Sequence, residues 1–295
     1  MNHSGLLKQW SQVAWTEGRY DLHTHSIASD GTLTPSQIVR EAADLGLGGI
    51  ALTDHDTMAG WAEAEEAARE HGLSFVPGVE LTTKTHTGFV VHLLAYFIDP
   101  QDAALYEVME RVRRDRDRRA RDMVALISQD IALSWADVES LVSDGATIGR
   151  PHIADALVSL GFYPDRGAAF NDVLHPGSKY YVPNYAVETL EAVRLVRLAG
   201  GLPVLAHPAA SRQRAPIPIP ALEALVDAGL YGIELDHPEN RREWLPPLRS
   251  ASERLGLMVT GSSDYHGAGK ENRLGDCATD ASIVRKMATD AGKKR

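Results

Sequence analysis

Tyr20-Asp21-Leu22-His23-Thr24-His25 is the stretch from which the fold can be read, with Asp30 following five residues after His25. A short apolar run ends on two histidines spaced i, i+2. In a strand that spacing places both imidazoles on one face. A nearby carboxylate can join them, and this is how nitrogen and oxygen ligands grip a divalent metal. Related clusters recur downstream: Thr53-Asp54-His55-Asp56, Gly78-Val79-Glu80, Val91-His92-Leu93, Ala206-His207-Pro208 and Ser263-Asp264-Tyr265-His266.

Outward from this stretch the chain alternates between strand and helix patterns. Strands are expected over Tyr20–His23, Gly49–Thr53, Ser74–Val79 and Phe89–Phe97, with helices over Pro35–Leu45 and Met58–Glu70. Thr34 suits a cap before Pro35, and Gly46 and Gly72 suit helix stops. The alternation resumes late, with strands at Leu202–Ala206, Gly232–Leu235 and Leu257–Thr260 and helices at Val187–Leu198, Ala221–Ala228 and Asn240–Leu255. Repeated units of this length indicate a parallel sheet, open or closed. Between Pro100 and Pro183 the rhythm breaks into helical patterns over Asp102–Ser128, Ser134–Leu141 and Ile153–Leu160, and strand character returns only at Tyr180-Tyr181-Val182. The expected organisation is a barrel from residues 1–99 and 184–295, with a mainly helical insertion over 100–183.

Composition sets bounds. At 295 residues and 44% hydrophobic content the chain can build one large core. A net charge of −10 argues against broad binding to long nucleic acid. The single cysteine, Cys277, excludes an intrachain disulfide and fits a reducing cytoplasm. The longest apolar stretch, Phe89 to Ile98, is broken by His92 and is too short to span a bilayer. The N-terminal residues lack the pattern of a secretory signal.

The helix expected over Asp102–Ser128 holds seven arginines between Glu107 and Asp122. Four acid-to-arginine pairs have i, i+4 spacing: Glu107–Arg111, Glu110–Arg114, Asp115–Arg119 and Asp117–Arg121. Each stabilises a helix by a few tenths of a kcal/mol. The plain expectation is a solvated, self-paired face; the alternative is a basic rim that guides an anionic substrate.

The clusters matter through their position. His23, His25, His55, Glu80, His207, Asp264 and His266 each fall at or just after the C-terminal end of an expected strand, and His92 falls inside one. In a parallel barrel all those ends open on one face. Core packing does not explain so many buried ionisable groups, which are costly unless paired or metal-bound.

The motifs Asp21-Leu22-His23-Thr24-His25-Ser26, Ser29-Asp30-Gly31, Ala51-Leu52-Thr53-Asp54-His55-Asp56, Pro77-Gly78-Val79-Glu80, Ala206-His207-Pro208 and Gly261-Ser262-Ser263-Asp264-Tyr265-His266-Gly267 resemble those of the PHP (polymerase and histidinol phosphatase) family. The resemblance runs from Tyr20 to about Gly275. It implies an α/β fold: a distorted seven-stranded (β/α)7 TIM-like barrel of parallel strands with a helical insertion. It also implies two or three divalent ions (Zn, Mn or Fe) and hydrolysis of phosphate esters. By the same resemblance His23, His25, Glu80 and Asp264 hold a first metal and Asp30, His55 and His266 a second. Glu80 bridges to a third, completed by His92 and His207. A hydroxide held by this cluster, with His207, Asp264 and His266 around it, is the expected nucleophile, because clustered dications lower the pKa of water toward about 7. The leaving-group proton donor is not identified; Asp54 and Asp56 read as partners of the ligands or as turn residues.

A second signature lies in the insertion: Ile148-Gly149-Arg150-Pro151-His152, then Gly177-Ser178-Lys179-Tyr180. Arg150 can fork onto a phosphate and His152 can add a donor; Arg150 can equally clamp the start of a helix. The insertion resembles that of small bacterial PHP enzymes, among them nucleoside 3′,5′-bisphosphate phosphatases and 5′-to-3′ exoribonuclease-like proteins, in which the matching Arg and His contact phosphate. Lys179 and Tyr180 are expected to line the same pocket. His3, His71 and His86 read as surface residues, and His175 and His237 as structural or solvated. The expected function is a cytoplasmic metal-dependent phosphoesterase acting on phosphomonoesters of nucleotides or similar small molecules. The alternatives are an exonuclease or phosphodiesterase for short oligoribonucleotides, a metal-dependent amidohydrolase, and a non-catalytic phospholigand-binding module.

Overall fold

The computed structural model describes residues 10, 13–86, 90–211 and 215–293. His3, Phe89, Lys294 and Arg295 therefore lie outside the described residues. The first strands are β1 (Arg19–Asp21), β2 (Gly49–Leu52), β3 (Ser74–Lys84) and β4 (Val90–Tyr96). Helices α1 (Pro35–Asp44) and α2 (Trp61–His71) connect the first three. Thr34 caps α1 in a capping box with Gln37, and Gly72 ends α2 at φ +71°, a left-handed turn that glycine adopts at little cost. The insertion carries α3 (Ala103–Ile127), α4 (Trp135–Glu139), α5 (Arg150–Ser159) and α6 (Arg166–Asp172). The chain then forms β5 (Val187–Glu188), α7 (Thr189–Leu198), β6 (Leu202–Leu205), α8 (Ile219–Asp227) and β7 (Gly232–Asp236). It closes with α9 (Leu245–Leu255), β8 (Met258–Gly261), β9 (Thr279–Asp280) and α10 (Ala281–Asp290).

The strands form one sheet in the order β8-β7-β6-β4-β3-β2-β1-β9, with β5 on β3. Past the end of β1, Thr24 bridges in parallel to Tyr265, past the end of β8, so the sheet is a nearly closed barrel. Two expectations are corrected. First, the barrel is not all parallel: β4 runs antiparallel to both β3 and β6. The connection from Thr85 to Phe89 is too short for the crossover that a parallel partner needs. The reversal has a consequence for the site. His92 lies near the start of β4, paired with Thr82 near the end of β3, so it reaches the face onto which the parallel strands' C-terminal ends open. Second, Tyr180-Tyr181-Val182 is not a strand. Tyr180 and Val182 pack instead against the insertion's apolar cluster, which includes Met123, Ile127, Ile153, Leu157 and Leu174. The first turns of α3 belong elsewhere: Leu105 and Met109 pack with barrel residues Val79, Leu93 and Leu205.

No helix among the described residues is long and apolar enough to cross a membrane.

Candidate metal centre

β1 and β8 deliver their following residues to one point because the two segments hydrogen-bond to each other: His25 N donates to Tyr265 O and Tyr265 N to His23 O. There the side-chain nitrogens of His23 and His25 face one another, Nε2 to Nε2, at 3.1 Å. Both also face Glu80 Oε2, at 3.2 and 3.1 Å, and Asp264 Oδ1, at 3.4 and 3.3 Å. All four residues are buried. Asp264 Oδ1 is buried and has these imidazole nitrogens near it, with no well-formed hydrogen bond. Two imidazole nitrogens and two carboxylate oxygens converging on one buried point fit a divalent cation, and the N/O donor set with no thiolate suits a catalytic site.

The remaining ligand candidates extend this cluster in two directions. On one side His266 Nε2 is 3.3 Å from Asp30 Oδ1, His25 Nδ1 is 3.7 Å from the same oxygen, and His55 Nε2 is 3.8 Å from Asp30 Oδ2. On the other, Glu80 Oε1 meets His92 Nδ1 at 2.7 Å and His207 Nε2 at 3.2 Å, while His55 Nδ1 is 3.3 Å from Glu80 Oε2. The structure thus brings together all nine residues expected as ligands. Glu80 is the hub, and His55 stands between the two outer groups.

Electrostatics follow from burial and from the neighbouring charges. Burial opposes charge on His25, but the adjacent carboxylates of Asp264 and Glu80 overcome it and push the ring up to about 9. Burial also opposes charge on Asp264, yet Lys270 and then His23 hold it well below the usual carboxylate range. Backbone strain gathers here as well: Asp56, His207 and Asp264 have φ of 54°, 26° and 56°. Such conformations cost on the order of 1–3 kcal/mol each and persist where surrounding contacts over-determine them.

Those contacts are hydrogen bonds to a ring of buried acids. Asp54 accepts from Ser26 N, Ser26 Oγ and Ser29 Oγ, and Asp56 from Thr82 N and Oγ1. Both carboxylates are therefore occupied with holding the loops that carry ligands. Asp21, pushed up to about 6 by burial, accepts from Ser263 N and Oγ and from Gly275 N.

The sequence reading missed Glu234, on β7. Its Oε1 faces His23 Nδ1 at 3.1 Å and accepts from Ser262 Oγ, and its Oε2 accepts the His207 backbone N–H at 2.8 Å. A carboxylate only accepts, so the His23 proton sits on Nδ1 and Nε2 is left free for a metal. The available signal was an acid inside an apolar strand, Gly232-Ile233-Glu234-Leu235. His237, expected to be structural or solvated, is buried next to this group, with Nε2 3.9 Å from both Glu234 Oε2 and Asp264 Oδ2. Lys270 was also missed; its Nζ pairs with Asp264 Oδ2 at 2.5 Å.

Comparison with known proteins settles the family. The PHP domain model matches residues 21–142. A Chromobacterium violaceum protein named 3′,5′-nucleoside bisphosphate phosphatase is 34% identical over 266 residues, covering 86% of this chain and 89% of that one. The chain belongs to the PHP family. A Haemophilus influenzae 5′-3′ exoribonuclease is 33% identical over 190 residues, 64% of this chain and 69% of its own. A crystal structure from Bifidobacterium adolescentis, assigned to the metal-dependent phosphoesterases, superposes with a TM-score of 0.90 at 42% identity over 93% of this chain and 96% of that one. The protein is a PHP-family metal-dependent phosphoesterase, with a His/Asp/Glu cluster able to bind metal.

The insertion residues of this PHP protein divide. Arg150 lies at the start of α5, where Nη1 donates to Leu174 O, and its guanidinium lies over the Phe170 and Tyr181 rings. His152 is buried and accepts the Gly149 N–H through Nδ1. Lys179 and Tyr180, expected in the substrate pocket, both converge on the exposed Asp130, at 2.8 and 2.9 Å. The arginines of α3 split by face. Arg118 and Arg121 pair outward with Asp115, Asp122 and Asp117. Arg116 and Arg119 turn inward: Arg116 donates to Thr82 Oγ1 and lies 3.4 Å from Asp56, and Arg119 Nε donates to Val182 O. Of the four pairs expected by spacing, Asp117–Arg121 forms an ion pair, at 2.9 Å.

Proposed function

We propose that this phosphoesterase releases phosphate from phosphomonoesters of nucleotides, with substrates bearing a second phosphate held between the barrel end and the insertion. The observation that carries this reading is a cluster of three like charges beside the metal centre. Burial, and then the nearby charges of Arg150 and Arg116, pull the Arg119 guanidinium down to about 10, and its Nη2 is buried without a hydrogen-bond partner. Arg116 reaches this cluster from Asp56 and Thr82, which neighbour His55 and pair with His92. Like charges held together are unfavourable until an anion joins them, and planar guanidinium forks match phosphate. The names of the bisphosphate phosphatase and exoribonuclease relatives accord with a nucleotide substrate.

In this reading two or three divalent ions, Zn, Mn or Fe, occupy the cluster. His23, His25, Glu80 and Asp264 hold the first and Asp30, His55 and His266 the second, with Glu80, His92 and His207 around the third. Bound metal supplies Lewis acidity, drawing charge from the phosphoryl oxygens and making hydroxide accessible at neutral pH. The chain's own residues orient the ester: Arg116, Arg119 and Arg150 bind the non-reacting phosphate and fix the distance to the cluster. The reading takes the barrel as seven strands, β1–β4 and β6–β8, with β5 and β9 accessory. It takes residues 100–183 as the insertion and a cytoplasmic setting as the workplace.

The test is phosphate release, with added Mn or Zn, from a panel of nucleoside 3′,5′-bisphosphates, nucleoside monophosphates, short oligoribonucleotides and amides. The reading predicts that bisphosphates turn over with the highest kcat/KM. Preferred cleavage of oligoribonucleotides would replace it with the exonuclease reading. Amide cleavage would replace it with the amidohydrolase reading, and tight nucleotide binding without turnover with a binding module.

A further inference from the structure

The loop from Ser26 to Gly31 carries Asp30 and is held from two sides. From the barrel, Asp54 takes the Ser26 and Ser29 donors. From the insertion, two donors reach carbonyl oxygens of this loop. Thr147 N donates to Ala28 O at 2.9 Å, and Arg166 Nη1 donates to Asp30 O at 3.2 Å. The barrel sequence supplies neither partner.

Arg166 is pre-set for this contact. Its Nε and Nη2 are held by both oxygens of Asp155, at 2.5 and 2.6 Å, a fork that leaves Nη1 as the directed donor. The same Nη1 abuts the turn after His266: a Cβ on Gly269 would lie 2.2 Å from it, so a side chain there would push the guanidinium aside. That turn is tied to the Asp30 loop in its own right, through Thr32 N to His266 O at 3.1 Å and Ala268 N to Thr32 Oγ1 at 2.9 Å. One insertion side chain therefore touches both loops whose carboxylate and imidazole, Asp30 and His266, stand 3.3 Å apart. On its outer side Arg166 borders a cleft of about 360 Å³, also lined by Gly31, Thr32, His152 and Asp155.

We propose that the insertion sets metal affinity at the Asp30–His266 position, with Arg166 as the positioning residue. The inference rests on the reading above that these two side chains share a metal. A partner that fixes a ligand loop is worth about 10–100-fold in metal affinity. Removing the Arg166 clasp should weaken one equivalent by that factor and leave the His23–His25–Glu80–Asp264 position filled.

The experiment is metal content per chain, by plasma mass spectrometry after dialysis against graded chelator, for wild type, Arg166→Ala, Asp155→Asn, Asp30→Ala and Tyr163→Phe. The last removes a hydrogen bond to Asp172 inside the insertion and not the clasp. Arg166→Ala should lose one equivalent at chelator levels that wild type withstands. Asp155→Asn should lose it less steeply, and Tyr163→Phe should match wild type. Excess Mn should restore Arg166→Ala turnover with an unchanged KM for the ester. Wild-type metal retention in Arg166→Ala, or loss of every equivalent from a protein that still melts cooperatively, overturns the proposal; if Arg166→Ala does not fold, Asp155→Asn decides by the same criteria. Full metal retention in Asp30→Ala would overturn the metal assignment itself, and with it the inference. Loss in Asp30→Ala beside retention in Arg166→Ala would overturn the clasp alone.

Discussion

The barrel end and the insertion face each other across the site, yet they are built in opposite ways. At the barrel end Glu80 and His92 lie on strands and the other ligand candidates on the segments that follow strand ends, where buried acids such as Asp21, Asp54 and Glu234 hold the backbone. In the insertion, charged side chains on one helix have unrelated fates: Arg118 and Arg121 face solvent while Arg116 and Arg119 point inward. The difference teaches that strand ends transmit chemistry from sequence to space almost directly, whereas a helix face acquires its role only from what packs against it.

Substitutions at the barrel end should be far more damaging. Asp264→Ala should cut turnover by at least about 10³-fold, as loss of a group in a catalytic constellation does, and lower metal per chain; near-normal kcat with full metal would break the contrast. Glu234→Ala should come next, raising the metal dissociation constant about 10–100-fold, with Glu234→Gln milder because it retains an oxygen for His23 or for the His207 N–H. Isothermal titration with Mn checks this, and equal losses in the two variants would assign Glu234 a packing role. Inward arginines should act on binding: Arg116→Ala and Arg150→Ala should each raise KM for a bisphosphate about tenfold, the scale of one charged hydrogen bond, with kcat little changed. Steady-state kinetics that leave KM unmoved would remove that arginine from the substrate site. The smallest effects belong to outward charges. Arg118→Ala and Lys179→Ala should leave kinetics unchanged and shift stability by no more than about 0.5 kcal/mol.

The same contrast governs what could be read in the sequence. His23, His25, His55, Glu80, His207, Asp264 and His266 were legible because strand ends of a barrel share a face. His92 was legible as a residue but not in direction, since only the short connection to β4 reveals that the strand reverses. Glu234 was missed because a single acid in an apolar strand looks like a lapse in patterning until His23 and Ser262 are seen against it. The arginines resisted reading because i, i+4 spacing pairs them with acids on paper, while tertiary partners such as Val182 O and Thr82 Oγ1 take them in the fold. His152 matched a phosphate contact by motif, and the fold buries it at the start of α5 with Nδ1 accepting the Gly149 N–H.

The central claim is that the converging barrel-end residues form a metal centre that hydrolyses phosphate esters. It is tested most directly by stripping the protein with chelator and titrating Mn back while following bound metal per chain and phosphate release from a nucleoside 3′,5′-bisphosphate together. The account predicts no turnover in the stripped protein and recovery that rises with each equivalent bound. Turnover that survives complete metal removal, or full metal occupancy without phosphate release, would contradict it.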